Sequence, residues 1–182
     1  MPFRENYKYT PRYCEENVWH LCNDAIGDDG KAVFISNQNK QCPMWHQRAA
    51  AVGDPVIWDY HVVYLSRVEK QWMIFDLDTT LEFPANFEVY LSASFPRSIR
   101  TEYEPVFRIV DADEFVAIFC SDREHMRSRD GKYLSSPPEW PLICGGAENN
   151  LSRFLNFRDL FVGQIVNHAD FKQKFSGAET LE

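Results

Sequence analysis

Two neighbouring stretches, PVIWDYHVVYL (55–65) and WMIFDLD (72–78), decide the predicted fold. Both are rich in β-branched and aromatic residues, a composition typical of β-strands. The segment between them, SRVEKQ, is short and polar. We therefore predict that the two stretches form an antiparallel hairpin, and that the sheet around it is mainly antiparallel.

The hairpin predicts a contact between a histidine and an aspartate. Alternate residues of a strand share one face. If Leu65 pairs with Trp72 across the turn, His61 lies opposite Asp76, with Cβ atoms about 4.5–5.5 Å apart. Such an aspartate orients an imidazole and stabilises its charged form. A cross-strand His–Asp pair is also common as a purely structural polar pair, so the residues alone leave both interpretations open.

The same register places two carboxylates opposite each other, those of Asp59 and Asp78. Facing carboxylates repel, so such a pair needs a cation nearby. One interpretation is an acidic pocket for a substrate ammonium group. The alternative is that one of the two caps a turn or faces solvent. The aromatic residues Trp58, Tyr60 and Tyr64 fall on the opposite strand face and are predicted to be core residues.

Further strands and helices are predicted along the chain. Helices are expected from Cys14 to about residue 26, from Asp111 to Cys120 with Glu114 completing a capping box, at 151–157, and from Asn167 to Phe175. Strands are expected at 31–36, 106–110 and 161–166. The segments 37–54 and 130–150 are predicted loops, the first with one helical turn at 45–51.

These elements predict an α+β fold, a mainly antiparallel sheet with packed helices. The 182 residues suit a single domain, with residues 1–12 and 176–182 as flexible ends. The net charge of −8 argues against nucleic acid and anionic membrane surfaces as partners. An N-terminus without an apolar segment, and the absence of an apolar run near 20 residues, predict a soluble intracellular protein.

The five cysteines predict neither a disulfide framework nor a zinc site, because the count is odd and no C-x-x-C pair occurs. Cys14 stands apart because it begins a predicted helix, where backbone N–H groups and the helix dipole lower a thiol pKa. Glu15 and Glu16 oppose this by repulsion. Taken alone, Cys14 favours the interpretation as a structural thiol, but the chain order Cys, His, Asp suits acyl-transfer chemistry.

Several motifs together resemble one family, the protein N-terminal glutamine amidohydrolases. They are spread in order from about Tyr13 to Phe175 and read YCEENVWHLC (13–22), AVFISN (32–37), PVIWDYHVVYL (55–65), FDLDTTLEFP (75–84), FRIVDADEF (107–115), FCSDREHM (119–126) and SSPPEWPLI (135–143). The resemblance implies a catalytic geometry like that of transglutaminases and papain-like enzymes. It also implies the catalytic set Cys14, His61 and Asp76, with no metal and no cofactor.

The resemblance further implies a monomer of the cytoplasm and nucleus that acts on proteins or peptides with a free N-terminal Gln, within the N-degron pathway. It leaves the residues that bind the substrate ammonium open, and Asp59 and Asp78 are the candidates. Two alternatives remain at this point. One is a papain-like protease or transglutaminase that acts on internal residues, and the other is a non-enzymatic binder of free N-termini.

Overall fold

The computed structural model describes residues 4–96, 100–143 and 148–177. One six-stranded antiparallel sheet, in the order β6-β5-β4-β1-β7-β8, organises the described chain. The strands are β1 (Asp28–Ser36), β2 (Cys42–Met44), β3 (Val56–Trp58), β4 (His61–Val68), β5 (Gln71–Phe75), β6 (Ala85–Asn86), β7 (Val106–Asp111) and β8 (Gln164–Asn167). The α-helices are α1 (Cys14–Asn23), α2 (Phe87–Ser94), α3 (Ala112–Ile118), α4 (Leu151–Phe154) and α5 (His168–Phe175). The predicted α+β class is confirmed.

The sheet is buried on both faces. Phe34 and Val62 point to a cluster that includes residues of α1, α3 and α4. Their neighbours Ile35 and Val63 point to a second cluster with residues of α2 and α5. This explains why β1 and β4 read as nearly continuous apolar runs rather than as alternating ones. Each fully buried Val, Ile or Phe contributes about 1.5–3 kcal/mol, so the two central strands hold the sheet in place.

The predicted hairpin is present, but its predicted register is wrong. Leu65 pairs with Ile74 instead of Trp72. The strands continue further than predicted and are joined by a two-residue turn, Glu69–Lys70, in which both residues have positive φ (50° and 68°). Positive φ at both positions is the type I′ geometry that suits tight hairpins, although Glu-Lys is not its usual sequence. Because the register differs by two residues, each side chain keeps its predicted face.

The stretch 55–65 is not one continuous strand. Its first part forms β3, which pairs with β2 in a separate two-stranded sheet. The chain then leaves the strand conformation at Asp59 and Tyr60, and β4 begins at His61. Because of this break, side chains before His61 do not continue the alternation between the two sheet faces that holds along β4.

The helical turn predicted at 45–51 is also wrong. The backbone N–H of Trp45 donates to the carbonyl of Ser94, and the N–H of Arg48 donates to that of Asp78. These partners lie 30 or more residues away, so local sequence carries no signal for them. One local bond, from the N–H of Ala50 to the carbonyl of Gln47, closes a single turn, but no helix is formed and the distant contacts hold the segment.

The other predicted elements are confirmed with small differences. α3 ends at Ile118 rather than at Cys120, and its predicted capping box is absent, because the Asp111 carboxylate accepts a hydrogen bond from Lys31. Asn167 caps α5 by accepting from the N–H of Asp170, as predicted. No element is predicted for 79–105, where α2 lies.

Three cysteines, Cys14, Cys22 and Cys42, are free thiols. Cys120 takes part in a disulfide, so the expectation of reduced cysteines is wrong here, because an odd count does not prevent two of the five from pairing. Within the described ranges, no helix combines the length and apolar character that crossing a membrane requires.

The predicted flexible ends lie partly outside the described residues, which omit 1–3 and 178–182. Residues from Arg4 onward contact the domain. Arg4 donates to the carbonyl of Leu81, and Tyr9 donates to the carboxylate of Asp78. The segment before α1 therefore reaches the residues that follow β5.

Candidate active site

A cavity of about 850 Å³ opens beside the N-terminus of α1. Its lining includes four of the five predicted site residues, namely Cys14, Asp59, His61 and Asp78. The fifth, Asp76, is buried and contacts His61. The structure thus brings the predicted site residues to one place, although they come from three separate parts of the chain.

Cys14 is the first residue of α1, and only 8% of its surface is exposed. The preceding Tyr13 makes no side-chain capping bond, so it leaves the N–H groups of the first turn available. Burial raises the pKa of the Cys14 thiol well above its usual value, and the charges of Glu15 and Asp78 add to this. A hydrogen bond from the backbone N–H of Val62 acts in the opposite direction. The expected lowering of the thiol pKa by the helix terminus is therefore outweighed.

His61 begins β4 and is fully buried. Its Nε2 lies 2.9 Å from Oδ1 of Asp76, the contact that the sequence predicts, while its Nδ1 is buried without a hydrogen-bond partner. The Cys14 sulfur accepts a hydrogen bond from the N–H of Val62, the residue after His61, and Cys14 and His61 line the same cavity. Burial lowers the pKa of His61, but the charge and hydrogen bond of Asp76 outweigh it and raise the pKa overall.

Asp76 follows the end of β5 and accepts four hydrogen bonds. Its Oδ1 accepts from His61 and from the N–H of Asp78 (2.9 Å), and its Oδ2 accepts from Gln47 (3.1 Å) and from the hydroxyl of Tyr90 (2.8 Å). Burial raises the pKa of Asp76, but the charge and hydrogen bond of His61 and the other donors outweigh it and lower the pKa overall. The carboxylate is held ionised in a fixed orientation.

Trp58 lies on the cavity side of the His61–Asp76 pair and contacts both His61 and Gln47. Its indole stacks on the imidazole of His61, with ring centroids 5.3 Å apart and planes 13° from parallel. Its Nε1 donates to Oε1 of Gln47 at 3.2 Å, so the Gln47 amide bridges Trp58 and Asp76. Trp58 packs against the core as predicted, but the prediction that it lies on the strand face opposite His61 is wrong, because the break at residues 59–60 reverses its face. Tyr64 does lie in the core as predicted.

Glu15 is a site residue that sequence reasoning missed. It is fully buried, and its Oε2 lies 3.6 Å from the Cys14 sulfur and accepts from the hydroxyl of Tyr60 at 3.1 Å. Its Oε1 lies 3.2 Å from Nε2 of His125, another cavity residue. Burial lowers the pKa of His125, but the hydrogen bond and charge of Glu15 outweigh it and raise the pKa. The sequence signal was present, since Glu15 directly follows Cys14.

Glu16 is held by hydrogen-bond donors from a distant part of the chain, which indicates a role in the fold. It is fully buried and accepts from both Nε (2.9 Å) and Nη2 (2.8 Å) of Arg123, from Ser121 (3.0 Å) and from the indole of Trp140 (2.7 Å). These bonds tie the first turn of α1 to the segment 121–140. Removing one partner of a buried ion pair costs about 3–5 kcal/mol, so Glu16 fixes where the N-terminus of α1 lies.

The two candidate ammonium-binding residues differ in environment. Asp78 is buried and accepts from Tyr9, and burial together with the charge of Asp76 raises its pKa despite the opposing effect of His61. Asp59 is exposed, and its carboxylate accepts from the N–H of Tyr60 at 2.9 Å. The predicted cross-strand pairing of the two is wrong, because Asp59 precedes β4 and Asp78 follows β5. Both nevertheless line the cavity.

One group in the described part of the chain has metal-ligand spacing. His61, Asp76 and Asp78 each offer a ligand atom, and these atoms lie within 4.8 Å of one another. Both oxygens of Asp76 already accept hydrogen bonds, and one of those bonds engages Nε2 of His61. A metal at this position would therefore compete with the hydrogen bonds that Asp76 already accepts.

The parts of the site are typical of one class of protein. A buried thiol at a helix N-terminus, an imidazole with one free nitrogen, and a carboxylate on the other nitrogen are the components of cysteine-dependent hydrolases. The family model of N-terminal glutamine amidase matches residues 9–175. The chain belongs to this family, and the resemblance noted from its motifs is confirmed.

Relatives from animals and plants are similar over most of the chain. The protein N-terminal glutamine amidohydrolase of Homo sapiens is 39% identical over 185 residues, covering 96% of this chain and 90% of the relative. That of Bos taurus is 37% identical with the same coverage. The protein of the same name from Arabidopsis thaliana is 39% identical, covering 82% of this chain and 75% of the relative.

Proposed function

We propose that the protein hydrolyses the side-chain amide of an N-terminal glutamine on proteins or peptides, giving N-terminal glutamate and ammonia. The observation that carries the proposal is that Cys14 and His61 line one cavity, with Asp76 bonded to His61 behind it, in a chain of the N-terminal glutamine amidase family. Cys14 is the nucleophile, His61 is the general base and acid, and Asp76 orients His61.

The first step forms a thioester. Nδ1 of His61, free of other partners, takes the thiol proton as the Cys14 sulfur attacks the carboxamide carbon. The raised pKa of the thiol makes this proton transfer necessary, because little thiolate exists without it. The N–H groups of the first turn of α1 stabilise the oxyanion, a contribution worth about 10²–10³-fold per donor in comparable sites. The carbon–nitrogen bond then breaks, and His61 returns the proton to the departing ammonia.

The second step hydrolyses the thioester. His61, neutral again, takes a proton from a water that attacks the same carbon. The carbon–sulfur bond breaks, the thiol regains its proton from His61, and the glutamate product leaves. Asp76 stabilises the imidazolium in both steps, supported by the hydrogen bonds from Gln47 and Tyr90. The described side chains supply every proton transfer, and the proposal includes no cofactor.

The substrate ammonium is assigned to the acidic part of the cavity. Asp78 is the stronger candidate, because its carboxylate is buried and its pKa is raised. Both features indicate a negative charge that nearby positive charge does not fully balance. A bound ammonium would supply the missing positive charge. Asp59 contributes at the cavity entrance, where it is exposed.

An adjoining cavity of about 790 Å³ offers space for the rest of the substrate chain. It shares Lys40, His125, Leu151 and Leu155 with the first cavity. Because the two cavities share these residues, a peptide whose first residue occupies the first cavity can continue towards the second. The proposal extends to a monomer acting in the cytoplasm and nucleus on N-degron substrates, as the resemblance implies.

The test uses a short Gln-initiated peptide and the purified protein. We expect ammonia release, a mass change matching conversion of an amide to an acid at the first residue, and intact peptide bonds. Cleavage of the peptide would favour a protease, and cross-linking to an amine would favour a transglutaminase. Binding without turnover would indicate a non-enzymatic receptor for free N-termini.

A further inference from the structure

We propose that the protein prefers substrates that carry acidic side chains shortly after the N-terminal glutamine, and that Lys40 and Arg158 bind these side chains. The inference rests on the proposed function and adds a substrate preference to it. It concerns the part of the substrate chain beyond the reacting residue, which takes no part in the reaction itself.

The adjoining cavity of about 790 Å³ is the place for the residues that follow the glutamine. It shares Lys40, His125, Leu151 and Leu155 with the first cavity, so these residues form the boundary between the two. An extended chain advances about 3.3–3.6 Å per residue, and a substrate therefore crosses this boundary within a few residues. Lys40 lies at the boundary, whereas Arg158 lines only the adjoining cavity. The substrate chain meets Lys40 first and Arg158 later.

The adjoining cavity is positively charged. The described residues that line it include the basic side chains of Lys40, Arg158 and His125, and none of them has a carboxylate. The charge of a protonated His125 is offset by Glu15, whose carboxylate lies 3.2 Å away. Lys40 and Arg158 are exposed, and neither has an ion-pair partner within the described ranges of the chain. The cavity thus presents two uncompensated cations on a chain whose net charge is −8.

Two carboxylates close to the adjoining cavity are engaged with other groups. Asp122 accepts a hydrogen bond from the side chain of Asn149, which lines the cavity. Asp159 directly follows Arg158 in the chain, but its carboxylate pairs with Arg153 at 3.0 Å. Neither carboxylate neutralises the two cations, which remain available to a substrate.

The first cavity differs because it carries charges of both signs. Asp59 and Asp78 line it together with Arg12 and Arg48, and the Arg48 guanidinium already lies over the ring of Tyr9, 5.4 Å from its centroid. Its carboxylates suit the substrate ammonium, whereas the adjoining cavity suits an anion. A peptide with a positive N-terminus and negative side chains a few residues later matches this order of charges, and a peptide with lysine at those positions does not.

The preference should appear in KM and leave kcat nearly unchanged. The acidic side chains lie away from the reacting carboxamide, so their contacts are the same in the ground state and in the transition state, and such uniform binding changes KM alone. An exposed ion pair changes affinity by about 1.5–5-fold. Salt weakens it, because the screening length falls from about 10 Å at 0.1 M to about 3 Å at 1 M.

The experiment compares three Gln-initiated peptides that carry Glu, Ala or Lys at each of their second, third and fourth residues. All are amidated at the C-terminus, so that only the side chains can supply an anion. At low salt we expect KM to be lowest for the Glu peptide and highest for the Lys peptide, about 5–20-fold apart, with kcat within about 2-fold. The difference should shrink at about 1 M salt. Equal KM values for the three peptides at low salt would overturn the inference.

Charge reversal assigns the preference to its residues. Lys40→Glu and Arg158→Glu should each narrow the difference between the Glu and Lys peptides, and the double variant should reverse it. Lys70→Glu is the matched control, because Lys70 is also exposed and also has a positive φ (68°, against 52° for Lys40). Lys70 lies in the hairpin turn at the end of β4 opposite to His61, so this variant should keep the order of the three peptides.

Two outcomes with the variants would contradict the assignment. A Glu preference that survives the double reversal would exclude Lys40 and Arg158 as its source. An equal loss of preference in Lys70→Glu would reduce the effect to the net charge of the protein. Failure of the unsubstituted protein to release ammonia from any of the peptides would instead refute the proposed function, and release that does not depend on their charge would refute only the substrate preference.

Discussion

The Nε2 atom of His61 lies 2.9 Å from Oδ1 of Asp76, although these two residues are not paired in the sheet. The last pair between their strands joins Tyr64 to Phe75, and Asp76 has already left the strand. The hydroxyl of Tyr90, on α2, holds the other oxygen of Asp76. The contact therefore depends on the packing of α2 against the sheet as well as on the hairpin.

Asp76→Asn should lower kcat strongly, whereas Asp78→Asn should affect it less. Asparagine can present an amide N–H to Nε2 of His61 and favour the wrong tautomer, which costs roughly 10⁴-fold when it occurs in a Ser-His-Asp triad. Asp78 accepts a hydrogen bond from Tyr9 and from neither ring nitrogen of His61. Steady-state kinetics on a Gln-initiated peptide compare the two variants. A larger loss of kcat in Asp78→Asn would transfer the orienting role to Asp78.

The same two variants should change stability in opposite directions. The pKa of Asp76 is lowered in the folded protein, so its carboxylate contributes stability that is fully present above the unfolded pKa of about 3.9. That stability is lost as the pH falls through the lower, folded pKa. The pKa of Asp78 is raised, so it costs no stability below the unfolded pKa of about 3.9, and the cost grows as the pH rises from there until it is complete above the folded pKa.

At pH 7 we therefore expect Asp76→Asn to lower the free energy of unfolding by about 1–3 kcal/mol. Asp78→Asn should raise it by about 0.5–2 kcal/mol, since functional sites often retain such unfavourable charges. Denaturant titrations at pH 7 and pH 4 provide the measurement. The difference between Asp78→Asn and the parent should shrink at the lower pH. A destabilised Asp78→Asn at pH 7 would show that its carboxylate is compensated in the folded protein.

Cys14→Ala should abolish turnover and leave the fold intact. The change removes the proposed nucleophile but little volume, so the free energy of unfolding should move by only about 1 kcal/mol. Cys22→Ala is the matched control, because it removes another buried free thiol from the same helix. Ammonia release and the thermal melt are measured on both proteins. Appreciable activity in Cys14→Ala would exclude it as the nucleophile.

Gln47→Met should lower kcat about 10-fold or more while KM changes little. Methionine keeps the size of the side chain but can neither donate to Asp76 nor accept from Trp58, so both supports of the His61–Asp76 pair weaken. A residue that acts through Asp76 should also alter the pKa of His61, which the pH profile of kcat reports. An unchanged pH profile with an unchanged kcat would limit Gln47 to a structural role.

Sequence reasoning reached the His61–Asp76 contact through a register that is wrong by two residues. The prediction survived because the side chains kept their faces, and because Asp76 bends back after its strand ends. Local patterns also predicted α1 and the cap at Asn167, since the residues that determine them are adjacent in the chain. The fold class followed from these local signals.

The rest of the site depends on partners that are distant in sequence. Gln47 contacts Asp76 across 29 positions, and Arg123 contacts Glu16 across 107. No local periodicity encodes such pairs. Trp58 was misplaced for a different reason, because a two-residue break in an apparently continuous strand reversed its face. Glu15 was visible beside Cys14 in the sequence, but its full burial and its 3.6 Å contact with the Cys14 thiol are seen only in the structure.

The last prediction concerns the requirement for a free N-terminal glutamine. We expect a Gln-initiated peptide to be deamidated, and peptides that begin with acetyl-Gln, Asn or Ala-Gln to react at least about 10²-fold more slowly. Acetylation removes the positive charge that Asp78 is proposed to bind, and an internal Gln has no ammonium at the required distance. Asparagine is one methylene shorter, so its carbonyl carbon stops short of Cys14 when the ammonium is anchored.

Two variants test whether Asp78 or Asp59 binds the ammonium group of the N-terminal glutamine. If Asp78 binds the ammonium, Asp78→Asn should raise KM for the Gln-initiated peptide and narrow its advantage over the acetylated one. Asp59→Asn should have a smaller effect, because the Asp59 carboxylate is exposed and already accepts from the N–H of Tyr60. Ammonia release from the four peptides by each protein is the measurement. If the unsubstituted protein deamidates the acetylated and the free Gln peptides at equal rates, it is a general glutaminase. If KM is unchanged in both variants, neither Asp78 nor Asp59 binds the substrate ammonium.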